Sequence, residues 1–304
     1  MTGPSDVTSC ILIGMKLARY WTRQSGEAVD GNGDPIRVVS RGWSNESLEA
    51  AGAMARELAR RVAERIASDG TKAKQYGYGD RPLTEPVLRE FRNGDEAASA
   101  VITRNAYGAL VLNARDLMFV DIDHGDAPTP GPGLVSSVLS LFGKPKAASA
   151  PPPAIDAVVA GIQGVAERNG LAVRVYKTAA GYRVLVLSQR FEAGGSRSEE
   201  LLREFGSDKL YVRLCKMQES FRARLTPKPW RCGLREPPVT FPFDDPKDEA
   251  RFREWEAQYT ARVARYATCR FVASFGGGRM EPDFQELVEY HDRETKVSSG
   301  LELA

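Results

Sequence analysis

One short run constrains the fold of this chain most strongly: four apolar residues, 117–120, lead directly into Asp121-Ile122-Asp123. The pattern predicts a buried strand that ends in acid. Because side chains alternate along a strand, Asp121 and Asp123 should share one face while Ile122 points into the core. Two carboxylates at neighbouring positions of one face repel each other unless a cation or a basic group lies between them. Paired carboxylates of this kind suit Mg2+ or Mn2+ together with a phosphate substrate.

The same run also fits a strand that simply ends there, with both acids on a solvated loop. His124 follows directly and is one of two histidines in the chain. It is either a further ligand or base, or an ordinary loop residue. So few histidines argue against a serine or cysteine triad, and the sequence contains no P-loop and no GxGxxG motif after a strand. The acidic pair is therefore the main candidate for chemistry.

A predicted hairpin further along the chain carries the first candidate cations. Lys177 and Arg183 flank its turn at residues 178–181. If this hairpin lies beside the acidic strand, Arg183 faces the same surface as Asp121 and Asp123, where a guanidinium would bind a phosphate in fork geometry. Otherwise Arg183 lies on the exposed side of an antiparallel sheet. We therefore take Lys177 and Arg183 as candidate substrate-binding residues.

The second basic segment covers residues 221–235 and contains no acid. Its cations alternate with Trp230, an arrangement that suits a phosphate backbone and a base stacked on the ring. The candidate substrate-binding residues in this segment are Arg222, Arg224, Lys228 and Arg231. Two other interpretations stay open. Trp230 between two prolines could pin an extended segment to the core, and the acids within residues 244–249 could neutralise the cations.

Periodicity and turn residues elsewhere predict a mixture of helices and strands. Strands are predicted at residues 10–20, 36–39, 101–104, 109–112, 117–123, 171–176 and 182–188, and the turn at residues 30–34 predicts a hairpin that returns through 36–39. Helices are predicted at residues 44–70, 85–91, 154–168, 199–205 and 208–224. The predicted buried stripe of the first helix consists of Leu48, Ala51, Ala55, Leu58, Val62 and Ile66. A strand and a crossover helix followed by a hairpin suit an open sheet covered by helices, so the predicted fold class is α+β with mostly antiparallel strands.

Shifts in composition divide the chain into four predicted parts. Residues 1–97 form an N-terminal α/β extension packed on the core. Residues 98–225 form the core, with a flexible insertion rich in proline and glycine at 125–153. Residues 226–291 form a basic and helical segment, and residues 292–304 form a tail that we expect to be disordered.

Composition also narrows the class of protein. A hydrophobic fraction of 42% is enough to build a core without disulfides or metals. The four cysteines lie far apart, which is typical of reduced thiols in the cytosol. The chain has no run of about eighteen apolar residues and no signal-peptide pattern. We therefore expect a cytoplasmic protein that does not enter a membrane.

The acidic strand and the later hairpin together resemble the archaeo-eukaryotic primase superfamily, the primase-polymerases built on an RRM-like catalytic core. That family pairs an apolar strand ending in hhhDxD with an sxH motif on a hairpin strand, and a further acid follows. Here residues 119–123 resemble the first motif and residues 178–183 stand in the place of the second. Asp208 is the candidate for the further acid. The resemblance covers about residues 98–225 and departs from the family where Arg183 replaces the histidine.

The resemblance implies an RRM-like sheet and a metal-dependent nucleotidyl- or phosphate-transfer enzyme. It implies Asp121 and Asp123 as ligands of Mg2+ or Mn2+, and Asp121, Asp123 and Asp208 as catalytic residues. The implied partner is a nucleotide or a nucleic acid. Because Arg183 replaces the family histidine, a divergent or catalytically inactive relative is included in this expectation.

Two other classes of protein stay open. A glycosyltransferase that binds a nucleotide-sugar also ends a strand in DxD, but it needs alternating strands and helices ahead of that strand. A non-catalytic nucleic-acid-binding module would depend on the basic segment 222–235 and would need no metal. Replacing both acids by alanine should abolish metal binding in an enzyme and leave the affinity of a binding module intact.

Overall fold

The computed structural model describes residues 15–30, 32–69, 81–92, 98–123, 155–243 and 245–304. Helices and strands in this part of the chain form an α+β fold with open sheets, none closed into a barrel, which confirms the predicted fold class. The predictions for His124 and for the insertion at 125–153 lie outside the described residues, as do the first five residues of the strand predicted at 10–20. Residues 15–19 form only isolated bridges, and the first strand in the described part begins at Tyr20.

The N-terminal elements are a hairpin and one long helix. They are β1 (Tyr20–Val29), β2 (Pro35–Ser44) and α1 (Leu48–Asp69). The hairpin and the helix agree with the sequence-based prediction, but the buried stripe of the helix does not contain Leu48, which is 59% exposed. The fully buried positions are Ala51, Ala55, Ala59 and Ala63. Small residues are required because the backbones touch: a Cβ at Gly42 would lie 2.2 Å from the Ala51 carbonyl oxygen.

One antiparallel sheet has the order β3-β4-β5-β9. Its strands are β3 (Val87–Phe91), β4 (Ala100–Arg104), β5 (Leu110–Ala114) and β9 (Phe221–Arg224). One predicted helix is wrong here and another is too long. Residues 85–91 contain a strand instead of a helix because residues 87–91 pair with β4. The helix predicted at 208–224 is present but ends at Gln218, because Glu219 is left-handed with φ 50° and residues 221–224 pair with β5.

The second antiparallel sheet has the order β11-β7-β8-β6. Its strands are β6 (Phe119–Asp123), β7 (Val173–Thr178), β8 (Gly181–Val186) and β11 (Cys269–Phe275). The remaining elements are α2 (Ile155–Arg168), α3 (Ser196–Glu204), α4 (Lys209–Gln218), α5 (Pro246–Val263), β10 (Tyr266–Ala267), α6 (Gln285–Thr295) and β12 (Glu302–Leu303). Within the described residues, no helix combines the length and the apolar character needed to cross a membrane.

The predicted domain boundaries do not follow the sheets. β3 precedes residue 98 and β11 follows residue 225, yet each pairs with strands of the predicted core. The tail predicted to be disordered from residue 292 instead completes α6 and then pairs β12 with β10. Local composition missed both features because strand partners far apart in sequence leave no local signal.

The two sheets meet where the edge strands β6 and β9 run side by side, a junction that we call the seam. The Tyr211 hydroxyl joins the two edges. It lies 3.0 Å from the Phe119 carbonyl oxygen and accepts a hydrogen bond from the Arg222 backbone N–H at 3.2 Å. A single cluster of buried apolar residues extends across both sheets and the helices on them. The two sheets therefore share one continuous core across the seam.

Candidate functional site

The acidic strand lies directly beside the predicted hairpin. In the antiparallel pairing of β6 with β8, Asp121 stands opposite Arg183 and Asp123 stands opposite Gly181. Asp121 is half-buried and Asp123 is exposed, while Ile122 points into the core. The close approach requires a glycine, because a Cβ at Gly181 would lie 1.8 Å from the Ile122 carbonyl oxygen. Asp121, Asp123 and Arg183 consequently share one face of the sheet.

Arg183 is buried, with 3% of its surface exposed. Its Nη1 donates to the Arg224 carbonyl oxygen at 2.8 Å, and lies 3.5 Å from Cys269 Sγ and 3.3 Å from His291 Nε2. All three acceptors belong to the protein interior. This geometry therefore does not support the prediction that Arg183 binds a substrate phosphate.

His291 is fully buried and connects Arg183 to a carboxylate on its far side. Its Nδ1 lies 3.0 Å from Asp292 Oδ1, which also accepts a hydrogen bond from the Tyr176 hydroxyl at 2.8 Å. A guanidinium can only donate, so His291 Nε2 must accept and Nδ1 must carry the proton. Burial lowers the pKa of His291 to about 4, although the hydrogen bond to Asp292 acts in the opposite direction. The imidazole is therefore neutral near pH 7.

Asp121 and Arg224 lie close enough at the seam for their charges to interact. Neither side chain has a direct partner among the described residues. In the described part of the chain, the Asp121 carboxylate makes no hydrogen bond or ion pair, and only its carbonyl oxygen is engaged. The Arg224 guanidinium is likewise without a bonded partner there, and its Nε is buried. Burial lowers the pKa of Arg224, the charge of Arg183 lowers it further, and the charge of Asp121 opposes both.

Asp208 lies close to the acidic strand but does not complete a set of three acids. Its backbone N–H donates to the Asp121 carbonyl oxygen at 3.0 Å. Its carboxylate accepts the Tyr211 N–H at 2.9 Å and so caps the N-terminus of α4. No group of three or more histidines, cysteines and acids suited to a metal ion occurs among the residues that the structure describes.

The other predicted cations fall into two groups. Arg222 and Lys177 are turned away from the acids. Arg222 forms a largely buried ion pair with Glu85 at 2.8 Å. Lys177 stands opposite Tyr182, on the other face from Arg183, with its Nζ 4.2 Å from the centre of that ring.

The second group stays near the seam or is exposed. Arg231 lies close enough to Arg224 for its positive charge to lower the pKa of Arg224. Lys228 Nζ lies 5.4 Å from the centre of the Trp230 ring, and the ring of Tyr107 meets Trp230 edge-on at 5.3 Å. Trp230 is 40% exposed, so it does not serve mainly to pin the segment to the core.

Sequence reasoning missed the role of His291, and no local signal could have revealed it. The residue is 108 positions from Arg183 in the chain, and α6 brings it to the seam. Glu85 was missed for the same reason, because its partner Arg222 is 137 positions away.

Comparison with known proteins does not place the chain in a family. No family model matches it, and neither the curated proteins nor the solved structures contain a significant match.

Proposed function

We propose that the seam binds a divalent cation together with a phosphate group of a nucleotide, and that the chain is a nucleotidyl- or phosphate-transfer enzyme similar to the primase-polymerases. One observation carries this proposal. The Asp121 carboxylate and the Arg224 guanidinium lie close enough for their opposite charges to interact. Neither has a hydrogen-bond or ion-pair partner in the described part of the chain. Asp121 and Arg224 are each partly withdrawn from water, and a charge that loses water without gaining a partner is costly. A cation on Asp121 and a phosphate on Arg224 would satisfy both groups.

The two acids suit a cation whose coordination shell is completed by the substrate. Asp121 and Asp123 supply two carboxylates on one face, and Mg2+ is often held by one or two carboxylates with waters and substrate phosphates in the other positions. When bound, such a cation would polarise a phosphate oxygen and help to align the attacking hydroxyl. The positive charges of Arg183 and Arg224 oppose binding of the cation alone, so we expect it to bind weakly until a phosphate is present.

The surrounding residues would orient the phosphate and hold the acidic strand. Arg224, with Arg231 nearby, would donate hydrogen bonds to the phosphate oxygens. Asp208 would keep its backbone hydrogen bond to β6 and its cap on α4, so it supports the position of Asp121 and is not a ligand. The antiparallel sheets do not favour a nucleotide-sugar transferase, which needs a half built from alternating strands and helices.

Calorimetric titration with MnCl2, with and without a mixture of nucleoside triphosphates, tests the proposal. We expect weak saturable binding that nucleotide strengthens by at least about tenfold, equivalent to about 1.4 kcal/mol. The Asp121→Ala, Asp123→Ala double variant should lose both. A Glu49→Ala, Glu254→Ala variant removes the same charge from exposed positions and should behave like the wild type. Absence of binding in the wild type, or equal binding in the acid-free variant, would exclude a metal site at these acids.

A second candidate function is metal-independent binding of single-stranded nucleic acid, and the exposed Trp230 favours it. A cation lies near its ring and a second aromatic ring lies against its edge. This arrangement is typical of a platform on which a base stacks. Such a module would bind equally well in the presence of a chelator and after loss of Asp121 and Asp123.

A further inference from the structure

Arg183 and Asp121 do not form the ion pair that their positions favour. They stand directly opposite each other on antiparallel strands, where Cβ atoms are about 4.5–5.5 Å apart and opposite charges attract. In the described part of the chain no ion pair joins them, although the charge of Asp121 acts on Arg183. Something therefore holds the guanidinium away from the carboxylate.

We propose that His291 is a positioning residue that keeps the Arg183 guanidinium turned away from Asp121, so that the Asp121 carboxylate stays open to a cation. The structural part of this proposal concerns the chain alone. Its consequence for cation binding rests on the proposed function.

The His291 ring is held on three sides. Asp292 accepts from its Nδ1, and the second oxygen of Asp292 lies 2.7 Å from Arg174 Nη2. The ring stacks on Phe119 with the ring centres 6.1 Å apart, and meets Tyr176 edge-on at 5.0 Å. These contacts fix the direction of the Nε2 lone pair, which points at Arg183 Nη1.

Two further acceptors act with His291. The Arg224 carbonyl oxygen and Cys269 Sγ accept hydrogen bonds from the same Arg183 Nη1. Without the imidazole, Arg183 keeps only a weak sulfur acceptor and one carbonyl on this side, while a full carboxylate stands opposite it across the strand pair. We expect the guanidinium to turn to Asp121. An Asp121–Arg183 ion pair would then compete with a cation for the same oxygens.

Two amide variants separate positioning from simple support of the core. In His291→Asn the amide reaches Asp292 but leaves no acceptor at the position of Nε2. In His291→Gln the side-chain oxygen reaches that position. Crystal structures should show an Asp121–Arg183 ion pair, with N···O within about 4 Å, in the Asn variant and not in the Gln variant. Arg183 still bonded to the Arg224 carbonyl in the Asn variant would overturn the proposal.

The proposal also predicts how strongly the two amide variants bind a cation. The Asn variant should bind MnCl2 with nucleoside triphosphates at least about tenfold more weakly, and Gln should restore the affinity. In an Arg183→Met background the Asn substitution should have no effect, because no guanidinium is left to turn. If His291→Asn weakens manganese binding equally in the Arg183→Met background, His291 does not act by positioning Arg183. If the wild type binds no manganese, the proposed function fails, and the crystal structures still decide the role of His291.

Folding of the variants is verified first by circular dichroism. If His291→Asn does not fold, His291→Met fills the volume without an acceptor and replaces it in both experiments. The expected ion pair and the expected loss of affinity are the same for Met as for Asn.

Discussion

Arg183 is a charged group that the protein has taken almost entirely out of water. Burial of a charge is costly unless hydrogen bonds and an opposite charge compensate it. The interior supplies a carbonyl, a thiol and an imidazole as acceptors, and Asp121 supplies the opposite charge. The guanidinium is thus integrated into the core, and its hydrogen bonds within the protein give no support to the phosphate-binding role that its place in the sequence suggested.

The buried imidazole predicts a specific dependence of stability on pH. Its pKa is about 4 in the folded protein and about 6.5 in an unfolded chain, so the unfolded state binds more protons between these values. Stability should therefore fall as pH decreases through this window, by about 2 kcal/mol between pH 8 and pH 5. The charged groups that face the ring are Arg183 and Asp292.

Urea unfolding of the wild type and of His291→Gln at both pH values measures this contribution. Other carboxylates titrate in both proteins, so the difference between the two is the relevant quantity. We expect the variant to lose about 2 kcal/mol less than the wild type on acidification. The same loss in both proteins would show that folding does not lower the pKa of His291.

Among the elements, the turn after β9 presents Trp230 on a rigid support. Pro229 opens a short 3-10 turn over Pro229–Cys232 and is itself buried, which holds the indole in place. If the surface binds single-stranded nucleic acid, Trp230→Ala should weaken binding of a fluorescein-labelled oligothymidine about 5- to 150-fold, since one stacked base contributes about 1–3 kcal/mol. Fluorescence anisotropy in the presence of a chelator measures the change.

Matched variants define the specificity of that result. Lys228→Ala should weaken binding and reduce its dependence on salt by about one phosphate contact. Arg265→Ala removes an exposed charge at the end of α5 and should leave the affinity unchanged. Equal binding by the Trp230→Ala protein and the wild type would exclude a stacking platform at this turn.

The contact between α1 and the β1–β2 hairpin depends on small residues at specific places. A Cβ at Gly42 would meet backbone atoms of α1 at 2.2–2.4 Å, whereas a Cβ at Gly52 would meet side-chain atoms at 3.5 Å or more. We expect Gly42→Ala to destabilise the protein by about 1–3 kcal/mol through overpacking. Gly52→Ala should stabilise it by up to about 1 kcal/mol, because alanine favours a helix interior.

Thermal and urea unfolding of these two alanine variants tests the contact with one matched pair. Each replaces a glycine by the same residue, and the two differ in the space available to the new methyl group. Similar changes in stability for both variants would show that the hairpin and the helix are not in backbone contact.

At the scale of the whole molecule, the chain assembles each sheet from distant parts. β3 and β9 belong to one sheet, and β6 and β11 to the other, so segments before residue 98 and after residue 225 are integral to the core. α6 adds the residue that positions Arg183. A boundary drawn from composition cannot follow such interleaving, because composition reports local chain properties and strand pairing depends on partners far away.

The sequence by itself determined the elements whose signals are local. The turn at residues 30–34, the long α1, the α2 helix and the β7–β8 hairpin follow from turn residues and periodicity. The alternation of side chains along β6 also placed Asp121 and Asp123 on one face. In residues 85–91 and 221–224 the local pattern predicted a helix. These segments contain strands instead, because they pair with β4 and β5.

Only the tertiary structure decided what surrounds the acids. It placed Arg183 opposite Asp121, buried its guanidinium, brought His291 to it, and set Arg224 at the seam without a direct partner among the described residues. These relations join residues up to 108 positions apart. They depend on burial and on the packing of edge strands, and neither quantity is a property of any short stretch of sequence.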